Sequence, residues 1–209
     1  MVVTQFTYTG QLRILDELVP GSRIGPTAFG KHCAYLLAER YGDCEIADAT
    51  CDLAGFTGGD KEEGDHAWAE TVSEALGVAL LPAPTNELEP RHDVIRQLLT
   101  NNTDGRAPAL WLSPRCRVLR KGFNSHYKYE MVGTGKNAVP ALKPKKNLWS
   151  NPHDALQYVA LNIFGVPNIV RGVPGGSKGR IAPRRRTDDD DDDDGPRQQG
   201  GSNFNVFNI

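Results

Sequence analysis

Residues 143–158 have the sequence KPKKNLWSNPHDALQY, and this stretch indicates both a helix and a candidate site. Asn151 is a favourable N-cap, and Pro152 suits the first position of a helix. The apolar residues after Pro152 recur at the spacing of one helical face: Leu156, Val159, Ala160 and Ile163. The stretch therefore predicts an amphipathic helix that begins at about residue 151 and runs to about Phe164.

In this interpretation Asp154 lies in the first helical turn, where its carboxylate faces the positive end of the helix dipole. Three lysines precede the helix: Lys143, Lys145 and Lys146. A metal-dependent enzyme that acts on a phosphate backbone needs positively charged side chains beside a carboxylate that is held in place. The spacing Asn151-x-x-Asp154 is also typical of a capping box, which stabilises a helix without further function. One carboxylate can serve in both roles.

Composition limits the class of protein. The 209 residues, 39% of them hydrophobic, suffice for one domain with a core plus appendages. No apolar run approaches the length of a membrane-spanning helix, and the first residues lack the pattern of a signal peptide. The net charge is −2, but seven consecutive aspartates at 188–194 leave +5 on the rest of the chain. A basic body favours a polyanionic partner.

Several common sites are excluded by spacing. The sequence has no Cys-x-x-Cys and no His-x-x-x-His, so zinc ribbons and zinc-hydrolase helices are not expected. GTGKN at 133–137 and GGSKGR at 175–180 do not match a complete phosphate-binding loop, which argues against an ATPase or another nucleotide-binding module. We expect reduced, mostly buried thiols at the four cysteines: Cys33, Cys44, Cys51 and Cys116.

Periodicity in the first part of the chain predicts alternating strands and helices. Two β-rich runs, 2–7 and 11–19, flank a Tyr-Thr-Gly turn and predict an antiparallel hairpin. A helix is predicted from Pro26 to near Gly42. Three later helices are predicted, from Trp68 to Gly77, at 90–100 and at 116–123. The other later elements are a short buried strand at 78–84, an extended run at 108–114 and an exposed strand at 126–132.

The run CEIADATCDLAG at 44–55 predicts a central strand whose end delivers Asp48 or Asp52 to a loop. Asp52 and Asp154 would together hold a hard divalent cation, Mg²⁺ or Mn²⁺, through carboxylate oxygens. Such a pair activates water and stabilises the leaving oxygen in phosphodiester cleavage. The alternative is that both acids are solvated loop or cap residues.

Two further sets of residues are candidates around these acids. His153 is the one histidine beside a candidate acid, although a surface residue at a helix start is the commoner case. Lys143, Lys145, Lys146 and Arg117 are candidates for contacts with DNA phosphates, and a solvated basic face is the alternative.

Residues 165–209 show no periodicity and predict a disordered tail with basic and acidic segments. The final FNVFNI is either an unstructured terminus or a short docking motif.

Three strings resemble the nuclease domain of the large terminase subunits of tailed phages: Q-x-x-x-x-G-Q-L-R-I-L-D-E-L at 5–18, C-D-L-A-G at 51–55 and K-N-L-W-S-N-P-H-D-A-L-Q-Y at 146–158. The order of predicted elements also agrees, and the resemblance covers residues 2–164. The third string is the most specific of the three.

This resemblance implies an RNase H-like α/β domain, with a mixed central sheet flanked by helices, that cuts concatemeric viral DNA during packaging. It implies two Mg²⁺ or Mn²⁺ ions held by acids. Asp52 matches the acid that ends the fourth strand, Asp154 matches the acid that begins the last helix, and His153 lies at the metal rim. The implied partners are double-stranded viral DNA, the portal protein and the small terminase subunit, in the host cytoplasm and without a membrane.

The sequence departs from the family pattern in three places. The family's first strand is central in its sheet, carries a leading metal-binding aspartate and precedes the hairpin with which this sequence starts. The ATPase domain that normally precedes the nuclease is not in this sequence, and Asn151 stands where the family often has histidine. We therefore expect plasmid DNA to be nicked or linearised only with Mg²⁺ or Mn²⁺, and only when the first strand is restored. The alternative is a catalytically inactive terminase fragment that binds DNA or docks on the portal.

Overall fold

The fold is built on an antiparallel hairpin of β1 (Val2–Phe6) and β2 (Leu12–Glu17), as the sequence predicts. The computed structural model describes residues 1–21, 23–58, 66–103, 106–133, 138–165 and 206–208. Val2 and Val3 are both fully buried. Because neighbouring strand residues point to opposite faces, this hairpin needs cover on both of its sides.

In the described part of the chain, six strands form one mixed sheet in the order β4-β3-β10-β1-β2-β7. Strands β3 (Thr50–Cys51), β4 (Leu81–Pro82) and β10 (Val206–Asn208) run parallel to one another, and β7 (Leu110–Leu112) runs parallel to β2. Two separate strand pairs complete the set: β5 (Asn102–Thr103) with β6 (Ala107–Pro108), and β8 (Tyr129–Val132) with β9 (Val139–Pro144).

Helices cover both faces of the sheet. On one face Val2 packs into a core with α3 (Leu88–Thr100), α4 (Arg117–Lys121) and α5 (Ser150–Phe164). On the other face Val3 packs into a second core with α1 (Pro26–Tyr41) and α2 (Trp68–Leu76). A π-helix, Gly122–His126, continues α4. The chain is thus a mixed α/β protein, and the predicted fold class is confirmed at that level.

Helix α5 begins at Ser150, so the prediction that Asn151 caps it was wrong. The N-cap residue is Trp149. Two residues earlier, Asn147 Oδ1 accepts hydrogen bonds from the backbone N–H groups of Trp149 and Ser150, both at 3.0 Å, and so satisfies the first N–H of the helix. Pro152 therefore lies within the first turn, where backbone N–H groups have no partner inside the helix. The first turn contains no acidic residue, and Asp154 lies in the second turn. The capping-box role of Asp154 is thereby excluded.

Of three other local predictions, one was confirmed and two were wrong. The helix near 68–76 ends where predicted, because Gly77 adopts the left-handed conformation with a φ of 78°. The strand at 78–84 was predicted to be buried, but β4 is exposed because it lies at an edge of the sheet. Helix α5 is buried on nearly all sides rather than on one face. It is therefore a central helix of the core and not an amphipathic surface helix.

Most of the predicted disordered tail, residues 166–205 and 209, lies outside the described residues. Val206–Asn208, within the final FNVFNI, forms strand β10. The cysteines Cys33, Cys51 and Cys116 are buried and free, as expected, and Cys44 is half-buried and free. Across the described residues, no helix has the length and apolar character needed to cross a membrane.

Candidate functional site

Asp52 follows directly on strand β3, which fixes its position at the end of the strand. Its carboxylate begins a short 3₁₀-helix, Leu53–Phe56, by accepting a hydrogen bond from the Ala54 N–H at 3.1 Å. The same oxygen, Oδ1, accepts a second hydrogen bond from the side-chain amide of Asn86, also at 3.1 Å. Asp52 is half-buried and has a defined orientation.

Asp154 is held by two cations. Its Oδ1 accepts a hydrogen bond from Arg91 Nη2, and its Oδ2 accepts one from Lys146 Nζ. The two partners differ in exposure, because the side chain of Arg91 is 6% exposed and that of Lys146 is 75% exposed. Arg91 is therefore a fixed partner of Asp154, whereas Lys146 can leave it for solvent or another anion.

Asn86 and Arg91 join the two acids. Arg91 Nη1 donates to Asn86 Oδ1 at 3.3 Å, while the amide nitrogen of Asn86 donates to Asp52. A continuous chain of hydrogen bonds thus runs from Asp52 through Asn86 and Arg91 to Asp154. We call these four residues the acidic site. The two predicted acids, distant in sequence, are thus linked through two intervening side chains.

Tyr158 supports this arrangement from the next turn of α5. Its hydroxyl donates to Asn86 Oδ1, and the Arg91 guanidinium lies over its ring at 4.3 Å from the centroid. Burial raises the pKa of the Tyr158 hydroxyl, against the opposing effect of the Arg91 charge. The hydroxyl therefore remains a donor at neutral pH and holds Asn86 in place.

Asp48, the second candidate at β3, lies at the other end of that strand. Its Oδ2 accepts from the amide of Asn162, which also donates to the Thr50 hydroxyl at 3.0 Å. Asn162 follows Asp154 by two turns of α5, or about 12 Å along the axis. The geometry therefore favours Asp52, rather than Asp48, as the companion of Asp154.

The donor chemistry of the acidic site suits a hard divalent cation. Mg²⁺ is commonly bound through one or two carboxylates, with water and substrate phosphates as the other ligands. Asp52 and Asp154 can supply those carboxylates once Lys146 leaves Asp154 Oδ2. Among the described residues no cluster of three or more His, Cys, Asp or Glu side chains has a metal-binding arrangement. The site thus offers few protein ligands for two ions.

His153 lies in the core, which excludes the alternative of a surface residue at a helix start. It is 3% exposed, and its Nε2 donates to the Leu119 carbonyl at 3.2 Å. The ring stacks on Tyr127 with centroids 4.6 Å apart and meets the edge of Phe123 at 4.5 Å. Gly122 makes this packing possible, because a Cβ there would lie 2.0 Å from Nε2. These contacts give His153 a packing role, and its role at a metal rim stays a prediction.

The buried imidazole of His153 makes stability depend on pH. Burial lowers its pKa from 6.5 to about 4, against smaller upward effects of the Leu119 carbonyl and of Asp154. Between pH 6.5 and 4 the unfolded chain binds a proton that the folded chain does not, so stability falls as the pH falls. We expect this histidine to account for a loss of about 3 kcal/mol across that window and for no further loss below it.

Urea denaturation at several pH values measures this effect. His153→Gln keeps an N–H for the Leu119 carbonyl but has no titrating group, so its stability should fall less between pH 6.5 and 4. Equal slopes in the parent and variant proteins would show that His153 is not the group responsible.

The predicted basic residues lie in two places. Lys143 is exposed on β9, and Lys145, just after that strand, pairs with Glu130 of β8. Lys146 is bound to Asp154. Arg117 is exposed at the start of α4, on a different element. The three lysines thus form one group that leads from the β8–β9 pair to the acidic site.

Sequence reasoning missed Asn86 and Arg91. A signal existed for Arg91, because it shares helical spacing with the buried Val94, Ile95 and Leu98 of α3. An arginine on the inward face of a helix requires a buried partner, since an unpaired buried charge is costly. Asn86 precedes α3 in an exposed connection, where the sequence carries no comparable signal.

Comparisons of the chain with protein-family models, with curated proteins and with solved structures found no match.

Proposed function

We propose that this chain is a Mg²⁺- or Mn²⁺-dependent DNA endonuclease domain of the terminase type, which cuts concatemeric viral DNA. The observation that carries the proposal is that Asp52 bonds to Asn86 and Asp154 bonds to Arg91, while Asn86 and Arg91 bond to each other. Both acids belong to strings that resemble the family. The three lysines beside the site add the positive charge that a phosphate backbone requires.

Each residue of the acidic site has a distinct role in this proposal. Asp52 and Asp154 hold the divalent ion, and Arg91 keeps the Asp154 carboxylate in one orientation. Lys146 covers Asp154 Oδ2 until a phosphate of the DNA draws the lysine away. When bound, the ion supplies Lewis-acid activation of the phosphate and of a water molecule.

An RNase H-like fold is part of the same proposal. Its support is a mixed sheet that begins with a hairpin, carries Asp52 at the end of β3 and packs against the helix that bears Asp154. The first strand of the family is central, whereas here the central position beside β1 belongs to β10. The leading family aspartate has no counterpart on β10, whose residues are Val206, Phe207 and Asn208.

A second candidate function is that of a catalytically inactive terminase fragment that binds DNA or docks on the portal protein. The neutralisation of Asp154 by Arg91 and Lys146 favours it, because two cations already stand where a metal ion would bind. The β8–β9 pair also exposes Met131, Val132 and Leu142 next to lysines. A two-stranded ribbon of this kind is narrow enough for the major groove.

Cleavage of supercoiled plasmid DNA tests the first proposal. From the chain extended by the family's first strand we expect nicked or linear product with Mg²⁺ or Mn²⁺ and none with EDTA. If the protein binds DNA but does not cleave it with either metal ion, the nuclease proposal is rejected and the inactive fragment is supported. Neither binding nor cleavage would reject action on DNA altogether and leave docking on the portal protein, to be checked by co-sedimentation with portal rings.

The lysines of β9 give a separate prediction on binding. The double variant Lys143→Ala/Lys145→Ala should weaken DNA binding and reduce the slope of log K against log salt by about 0.9 for each phosphate that the protein no longer neutralises. Fluorescence anisotropy at several salt concentrations measures the slope. Lys31→Ala, on the exposed side of α1 across the sheet, is the matched control. An unchanged slope in the double variant would mean that these lysines do not bind phosphates.

A further inference from the structure

Strand β10 occupies the centre of the main sheet although it is distant in sequence from its neighbours. It pairs antiparallel with β1, with Val3 opposite Val206 and Val2 opposite Asn208. It also pairs parallel with β3, with Asn208 opposite Thr50. Within the sheet β1 and β3 each pair with β10 and not with each other. The short strand β10 therefore joins the β7-β2-β1 half of the sheet to the β3-β4 half.

The position between β1 and β3 requires an extended chain. With β10 in place, Val2, Val3 and Thr50 are at most 1% exposed, so their backbone groups are shielded from water. Buried N–H and C=O groups must be paired, and removal of β10 would leave two facing strand edges unpaired. Two strand spacings separate β1 from β3, about 10 Å, which is too far for direct hydrogen bonds.

The occupant of this position is connected to the rest of the chain only distantly. Residues 165–205 lie between the end of α5 and β10 in the sequence, whereas β1 and β2 are joined by a short turn. A strand that arrives over a long connection incurs a loop-closure entropy but gains from its high local concentration. Such a strand can be removed, replaced or supplied as a peptide, unlike β1 or β2 of the hairpin.

We propose that the space between β1 and β3 is a peptide-binding slot, and that the segment Val206–Asn208 of the same chain is its occupant. By pairing with Thr50 the segment fixes β3, and through β3 it fixes Asp52 two residues later. The binding mode is strand addition, in which main-chain hydrogen bonds provide affinity. This inference does not depend on the proposed nuclease function, and its tests do not use cleavage.

A designed disulfide in the full chain tests the register and the occupant. Opposed residues of antiparallel strands have Cα atoms about 4.5–5.5 Å apart, within the range that a disulfide spans. We expect Val3→Cys with Val206→Cys to form an intramolecular bridge under mild oxidation, identified by peptide mapping because four native cysteines are present. The matched control, Tyr8→Cys with Val206→Cys, should not form it, because Tyr8 is exposed and lies beyond the end of β1.

Two results of the cross-linking experiment would overturn the proposal. A bridge between two chains would assign the strand to a second copy rather than to the same chain. If the control pair forms the bridge equally well, or if neither pair forms it, Val206 is not opposite Val3 and the proposed slot is wrong.

Peptide binding provides a second test. A chain ending at residue 203 should bind a labelled peptide of residues 199–209, whereas the full chain should bind it about tenfold more weakly or not at all because its slot is filled. Phe207→Pro in the peptide removes a backbone N–H and should weaken binding about tenfold or more. Equal binding by the full chain, or by the proline peptide, would overturn the proposal. If the shortened chain does not fold, the disulfide experiment in the full chain decides.

Discussion

Replacing Arg91 with alanine is expected to lower the free energy of unfolding by about 3–5 kcal/mol, the range for breaking one partner of a buried ion pair. Arg91 is 6% exposed at its side chain, and Asp154 is 14% exposed. The substitution leaves Asp154 with only the exposed Lys146 as a partner and deprives Asn86 of a donor. It also removes the cation from the face of Tyr158. Urea denaturation followed by circular dichroism measures the loss.

The matched control is Arg96→Ala on the same helix. The side chain of Arg96 is 59% exposed and pairs with the exposed Asp93, so its removal should cost less than about 1 kcal/mol. The double variant Arg91→Ala/Asp154→Asn should lose less stability than the sum of the single variants, because each single change leaves a buried partner without its counterpart. Equal losses for Arg91→Ala and Arg96→Ala would contradict the buried pair.

The parts of the fold that could be predicted are those set by residues close in sequence. The hairpin of β1 and β2 follows from two β-rich runs around a Gly-containing turn. Helix α2 ends at Gly77 because that residue takes a left-handed conformation that favours glycine. In both cases a few adjacent residues decide the structure, and no distant partner is needed.

The parts that could not be predicted depend on distant partners. Strand β10 has three residues, and backbone pairing with Val2, Val3 and Thr50 decides its place between β1 and β3. The sequence suggested a docking motif in FNVFNI as one alternative but could not indicate these partners. The predicted start of α5 was one residue too late because the sequence offers two asparagines near it, and only Asn147 bonds to the first backbone N–H groups.

The residues of the candidate site also divide into those that local sequence could place and those that depend on distant partners. Asp52 could be placed because it ends a strand, and Asp154 because it lies near the start of a helix; their convergence could be predicted only from the resemblance. The residues that connect them, Asn86 and Arg91, depend on how α3 packs against α5. That packing sets the charge of the site, since it decides that a buried arginine faces Asp154. Sequence reasoning singled out the two acids, whose role as metal ligands stays a prediction, but it did not anticipate the buried arginine beside Asp154.

The acids themselves give the largest expected effect on activity. If the chain cleaves DNA, Asp52→Asn and Asp154→Asn should each reduce metal-dependent nicking by more than about 100-fold, since even the loss of a residue that merely supports a metal ligand costs about 10–100-fold. Asparagine keeps the size of the side chain and its capacity to accept a hydrogen bond from Asn86 or Arg91. The assay is the initial rate of plasmid nicking at saturating Mn²⁺, with the melting temperature of each variant measured in parallel.

Asp48→Asn is the matched control for this experiment, because Asp48 belongs to the same strand region but bonds to Asn162, about two helical turns from Asp154. Its nicking rate should equal that of the parent. Lys146→Met should lower the Mn²⁺ concentration needed for half-maximal nicking, because it removes the cation that competes for Asp154 Oδ2. If Asp48→Asn loses activity while Asp52→Asn retains it, the ion is held at the other end of β3. In that case the shared Asn86–Arg91 pair is a structural ion-pair network and not the support of a metal site.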